Sequence, residues 1–246
     1  MEFCNAWMRH YTMDHGIYGD DVYVIQTGVH AQLTECIYIF GANMVDQAIP
    51  SDVTMRHNGN FKDRTMQVWQ NRLLENYTHV LLADIDELFL PNPHLFPGGI
   101  LQYVSSLHES VSVVAALGLE ILPHGPLIEW WNSSSIFESR RWVRRRCGMN
   151  KAVLTRAHIE YTFGTHDISR PVRYTACGSK DVNRVRDPRW FNVHIKCADP
   201  SLWTQSMMDS NRRRFERTNN ASVYFQRRCL RGGPRHALSD YFTRTL

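Results

Sequence analysis

His79-Val80-Leu81-Leu82-Ala83-Asp84-Ile85-Asp86-Glu87-Leu88-Phe89-Leu90-Pro91 is the stretch on which the fold turns. Residues 80–83 are continuously apolar, short and bounded by polar positions, the pattern of a buried strand. Three carboxylates, Asp84, Asp86 and Glu87, follow within four residues. Left uncompensated at a strand end, such a cluster is costly, because the charges repel one another and lose their water. A divalent cation removes that cost. All-oxygen ligands suit Mg²⁺, Mn²⁺ or Ca²⁺, and an added imidazole shifts the choice towards Mn²⁺. The plain alternative is that Asp84 caps a turn while the other two are solvated. A DxD alone decides little between these; an apolar strand before it and Leu-Phe-Leu-Pro after it favour the cation.

Upstream of this stretch, Met66, Trp69, Leu73, Leu74 and Tyr77 recur at helical spacing behind a helix start at Asn60-Phe61-Lys62-Asp63. Residues 2–15 carry Phe3, Trp7 and Tyr11 at the same spacing, while 22–25 and 35–40 read as strands and 52–56 as a short third one. Downstream, Pro91, Pro93, Pro97, Gly98 and Gly99 break the chain before a short helix over 100–107 and a buried strand over 111–119. This alternation predicts an α/β fold with a mostly parallel central sheet and helices on both faces. Ligands of such sheets lie at the carboxyl ends of the strands, which is where Asp84, Ile85 and Asp86 fall. The second half has less periodicity; a helix is expected around 202–217.

No repeat or linker divides the 246 residues, so a single domain is expected, with an acidic half over 1–125 and a basic half over 126–246. Ordinary hydrophobic and charged fractions, 43% and 21%, exclude disordered, collagen-like and coiled-coil chains. No apolar run approaches the roughly 18 residues of a membrane span. Met1-Glu2-Phe3-Cys4 has neither the basic nor the apolar region of a leader. These features leave the compartment open between the cytoplasm and, if the sequence is a fragment, the Golgi lumen. Net charge divides unevenly, −9 over 1–125 and +13 over 126–246. That split suits an anionic ligand gripped by the second half, or simple attraction between the halves. A nucleic-acid partner is not expected, because no RNA-binding motif accompanies the charge and the aromatics do not interleave it. Six cysteines, none in a CxxC pair, make a structural zinc site improbable and permit disulfides without demanding them. Sequons at Asn76, Asn132 and Asn220 are few enough to arise by chance.

Asn60-Phe-Lys-Asp-Arg-Thr65, followed by Leu73 through Pro91 with its Asp-Ile-Asp-Glu block, resembles glycosyltransferases of the family-2 and family-92 kind. Ser135-Ile-Phe-Glu-Ser-Arg-Arg-Trp142, Asn150-Lys-Ala-Val-Leu-Thr155, Gly164-Thr-His166 and His194-Ile-Lys196 follow in the order those proteins show, and Trp7-Met-Arg-His-Tyr11 resembles the helix after their first strand. The likeness runs from about residue 3 to about residue 200, and the acidic block is its specific part. Those proteins carry Phe directly after that block, where this sequence has Leu88-Phe89.

The resemblance implies a GT-A-like nucleotide-diphospho-sugar transferase fold, whose first strand would precede the Trp7 helix and is missing from this sequence. It implies transfer of a sugar from a nucleotide-diphosphate donor to a hydroxyl of a glycan, protein or lipid acceptor, with Mn²⁺ or Mg²⁺ and inversion; residues 1–125 would then be the nucleotide- and metal-binding half and 126–246 the basic acceptor and diphosphate half. By family analogy Asp86 binds the metal, Asp84 touches the ribose or the metal, and Glu87 is a neighbour or weak ligand. His166 and His194 are the candidate further metal ligands, and Lys151, Arg170 and Lys196 the candidate grip on the diphosphate. A base for the acceptor proton is sought among Glu120, Glu129 and Asp167, with Glu120 favoured for its place at a strand end beside the acidic block. Asp167 has the alternative role of orienting His166. Trp130 and Trp131 suit a sugar platform, Trp142 fits better as core, and the arginine run 140–146 reads as a solvated face. Competing readings are a haloacid-dehalogenase-like phosphotransferase, a basic binding protein and a degenerate transferase.

Overall fold

The computed structural model describes residues 2–26, 31–47, 58–122, 136–161, 168–170, 185–198 and 236–243. The expected strand at 52–56 and helix at 202–217 lie outside them. The strands are β1 (Tyr23–Gln26), β2 (Asn43–Asp46), β3 (Val80–Leu81), β4 (Glu87–Pro91), β5 (Val113–Ile121), β6 (Trp142–Arg145), β7 (Leu154–Thr155), β8 (Glu160–Tyr161), β9 (Ile168–Arg170), β10 (Val185–His194) and β11 (His236–Ala237). The helices used below are α1 (Glu2–Arg9), α2 (Ala31–Ile39), α3 (Asn58–Leu73) and α4 (Gly99–Ser105). A π-helical turn, His10–Asp14, continues α1.

The chain is mixed α/β, as expected, but its main sheet is not mostly parallel. Seven strands run in the order β11-β6-β5-β10-β4, with β7 bridging β5 and β3. Among the described strands only β5 and β10 are parallel neighbours in it; β4, β6, β7 and β11 all pair antiparallel. Two smaller sheets stand apart, parallel β1–β2 and antiparallel β8–β9. Continuous apolar runs record burial on two faces, but they carry no record of strand direction. The second correction is at residues 35–40, which form the end of helix α2. Ile37, Tyr38 and Ile39 have strand-forming side chains, yet Cys36 and Ile37 are buried while Tyr38 and Ile39 are exposed. A Cys4–Cys36 disulfide fastens this helix to α1, so tertiary contact overrides local preference.

β5 is buried along its whole length, with one core cluster around Val113, Ala115 and Trp190 and another around Leu117, Leu119 and Val193. Trp190 stacks on Tyr103 with centroids 4.7 Å apart, just where β10 bulges against β5. Beside the bulge, Tyr103 donates to Asp187 over 3.0 Å. Further along β5, Gly118 lets the 147–149 turn lie flat against the sheet. Its N–H donates to Asn150 Oδ1 over 2.7 Å, and Asn192 donates to the Met149 carbonyl over 3.0 Å. A Cβ at 118 would stand 2.4 Å from the Arg146 carbonyl oxygen and 2.4 Å from the Met149 carbonyl carbon.

Two predictions follow from this packing. Gly118→Ala must push backbone away from backbone, and should cost about 1–3 kcal/mol in a urea titration. His10 is buried, and its Nε2 lies 2.7 Å from the Phe89 carbonyl oxygen. Burial, with His15 close by, lowers His10 to about 3, and burial lowers His15 to about 4. Both histidines stay neutral in the folded chain while the unfolded chain takes up protons below about pH 6.5. Their contribution is therefore complete above that pH and is lost as the pH falls from there towards 3. His10 alone should remove roughly 1.4 kcal/mol per pH unit within this window. His10→Gln, which keeps a donor for Phe89, should flatten the stability profile between pH 6 and 4.

Candidate functional site

The acidic block bends between β3 and β4 through a turn in which the Glu87 N–H donates to the Asp84 carbonyl over 2.9 Å. β4 then pairs with β10 so that Glu87 faces His194. β10 pairs with β5 so that His194 faces Glu120, and β5 pairs with β6 so that Glu120 faces Arg144. Four strands thus place Glu87, His194, Glu120 and Arg144 in one buried row of alternating charge.

Lys151 enters this row from the segment between the 147–149 turn and β7. Its Nζ lies 3.0 Å from Asp84 Oδ2 and 2.9 Å from Glu87 Oε1, and its side chain is only 2% exposed. Lys62 reaches down from α3 to the other oxygen of Asp84, 2.5 Å away. Both oxygens of Asp84 therefore face ammonium groups. Asp86 is held differently. Its Oδ2 is 3.2 Å from His194 Nε2 and 3.9 Å from Lys196 Nζ, while its carbonyl accepts the Ile195 N–H over 2.9 Å.

The charges follow from these contacts. Burial alone would raise Asp84 and Asp86, but Lys151 and Lys62 outweigh it at Asp84, and His194 and Lys196 outweigh it at Asp86. Both carboxyls are held below their usual range. At Glu87 burial prevails over Lys151, and the carboxyl is pushed up. Burial would also lower His194 and Lys151, yet Asp86 raises the imidazole, while Glu87 and Asp84 raise the ammonium.

Six residues singled out from the sequence, Asp84, Asp86, Glu87, Lys151, His194 and Lys196, thus meet at one place. Glu120 lies in the same row without the role expected of it. Its Oε2 accepts from Arg144 Nε and Arg146 Nε, each over 2.8 Å, and the carboxylate is 1% exposed. A group so covered has no approach for an acceptor hydroxyl, so Glu120 is a cross-strand ion-pair partner in place of a base. The arginine run is corrected with it: Arg140 and Arg144 are buried, while Arg141 and Arg145 are exposed. Trp142, expected in the core, is 46% exposed on β6. Arg170 belongs to β9, in the separate β8–β9 sheet. Glu129, Trp130, Trp131, His166 and Asp167 lie outside the described residues. Lys62 was missed; the one signal for it was its place at the start of a helix directly ahead of the acidic block.

Among the described residues no three His, Cys, Asp or Glu side chains form a ready cage for a cation. Asp86 Oδ2 and His194 Nε2, 3.2 Å apart, nevertheless put an oxygen and a nitrogen within reach of one point. That donor pair fits a cation that keeps its waters and takes phosphate oxygens, as Mg²⁺ and Mn²⁺ do in phosphate sites. It does not fit a cation held by protein alone.

No protein-family model matches the chain, and no curated protein or solved structure is similar to it.

Removing Lys151 would strip buried Glu87 of its ammonium partner and leave part-buried Asp84 with Lys62 alone. Lys151→Met should therefore cost about 3–5 kcal/mol in chemical denaturation. Glu87→Gln in the same chain should recover part of that loss, since the buried charge is then gone.

Proposed function

We propose that the chain is a glycosyltransferase that moves a sugar from a nucleotide-diphosphate donor to an acceptor hydroxyl with the help of a divalent cation. The observation that carries this reading is the pairing of Asp86 with His194 beside Lys196 and Lys62, at the turn where β3 gives way to β4. A diphosphate brings oxygens that such cations can hold, and it leaves with negative charge that needs stabilising. The bound cation would supply the main part of that stabilisation. Lys196 and Lys62 are 28% and 43% exposed, so both can turn to phosphate oxygens without being dug out of the core. Lys151 is committed to Asp84 and Glu87 and serves as the fixed counter-charge that keeps the acidic loop in shape. Asp86 and His194 hold the cation's position. With Glu120 occupied by arginines, Asp167 takes the role of base in this proposal, and transfer proceeds with inversion.

The Cys4–Cys36 disulfide supports an oxidising compartment such as the Golgi lumen, which would bring glycans and secreted proteins within reach as acceptors. No helix among the described residues is long and apolar enough to cross a membrane.

A thermal-shift screen of nucleoside diphosphates tests the proposal. One of them should raise the melting temperature only when Mn²⁺ is present, by an amount corresponding to about 2.7 kcal/mol at a hundredfold excess over its dissociation constant. Asp86→Ala should abolish both that shift and transfer from the matching nucleotide sugar. An unchanged Mn²⁺-dependent shift in that variant would refute the assignment of the site.

A further inference from the structure

A cavity of about 920 Å³ opens beside Asp84 and Ile85 and runs back towards the core. Along β1 its wall is formed by Tyr23, Val24, Ile25 and Gln26 in succession, and along β3 by every residue from 78 to 83. The face of a sheet presents alternate residues, since successive side chains point to opposite sides. An unbroken succession means that the cavity meets the backbone edges of both strands. Each strand is paired on its other edge, β1 with β2 and β3 with β7. From the edges that face the cavity, no backbone hydrogen bond is made among the described residues. The rest of the wall is largely helical and apolar, with Trp7 and Tyr11 following α1 and its π turn, Met66 and Trp69 on α3, and Ile100 on α4.

Such a space is the volume of about thirty waters, whereas native interiors hold few voids larger than one. Water is a poor tenant for the apolar helical wall. A compact ring system could cover that wall but could not satisfy two rows of amides and carbonyls. We infer that the cavity is a strand-shaped slot, and that its occupant is an extended strand of a separate partner polypeptide, pairing with β1 on one side and β3 on the other. Lying against helices, this strand would be apolar on successive residues and rich in Val and Ile. Seated there, it joins the β1–β2 pair to the seven-stranded sheet and braces β3 directly behind the acidic block. The inference does not depend on the transferase reading.

Backbone amide exchange of the full chain tests it, with an acetylated and amidated peptide carrying a Val-Ile-Val-Val-Ile core between lysines as the probe. With the peptide, the amides of Tyr23–Gln26 and Val80–Leu81 should exchange at least tenfold more slowly, and Trp69 emission should shift to the blue. The same peptide N-methylated at alternate residues cannot pair along one edge, and should give neither effect. Asp86→Ala should respond like the parent chain, which keeps the slot distinct from any failure of the proposed cation site. Three results would overturn the inference: no protection by the peptide, full protection of both strands in the chain alone, or equal protection by a nucleoside diphosphate with Mn²⁺.

Discussion

Three carboxylates placed within four residues at the end of a buried strand repel one another, and they can stay there only if cations come to them from elsewhere in the chain. Lys151 meets most of that demand. It is almost wholly buried and reaches both Asp84 and Glu87, so one ammonium is shared by two acids, and for Glu87 it is the ammonium in direct contact. Its own burial is tolerable for the same reason, because two carboxylates repay the water it has lost. The other cations are more exposed. Lys62 and Lys196 touch the block from its open side, and His194 joins it from the neighbouring strand. The inner charges thus hold the loop, while Lys62 and Lys196 lie part-exposed at its rim.

Sheet register brings these groups together. Glu87, Glu120, Arg144 and His194 are spread over more than a hundred residues of sequence, yet pairing of β4, β10, β5 and β6 sets them side by side. The row depends on close approach between β5 and the 147–149 turn, which only a residue without a side chain at 118 allows. Asn150 and Asn192 fasten that turn with side-chain hydrogen bonds, and Lys151 follows directly from it. Packing in the middle of the sheet therefore determines where the key ammonium group lies.

Several features were legible in the sequence because they depend on local pattern. The helix over residues 58–73 showed itself through Met66, Trp69 and Leu73, and the nine residues of β5 through their unbroken apolar character. The acidic block was legible as a site because its cost is independent of the surrounding fold. Its partners Lys151, His194 and Lys196 were reached through the resemblance, and the structure brings them to it. Residues 35–40 misled, since side chains suited to strands lie there on a helix whose place is set by a disulfide and by Cys36 burial. Arg144 and Trp142 also misled. Composition marked a charged run, but burial along β6 runs exposed, buried, buried, exposed: pairing with Glu120 draws Arg144 inward, while Trp142 is left half in solvent.

By itself the sequence determined that this is an α/β chain with a buried strand ending in a cluster of acids that must be compensated, because hydrophobic period and charge density are properties of neighbouring residues. Tertiary structure alone decided which cations do the compensating, that β5 runs parallel to β10 but antiparallel to β6 and β7, and that Glu120 belongs to Arg144 and Arg146. Pairing direction, register and the burial of a particular side chain are set by contacts between residues far apart along the chain, and no local pattern carries them.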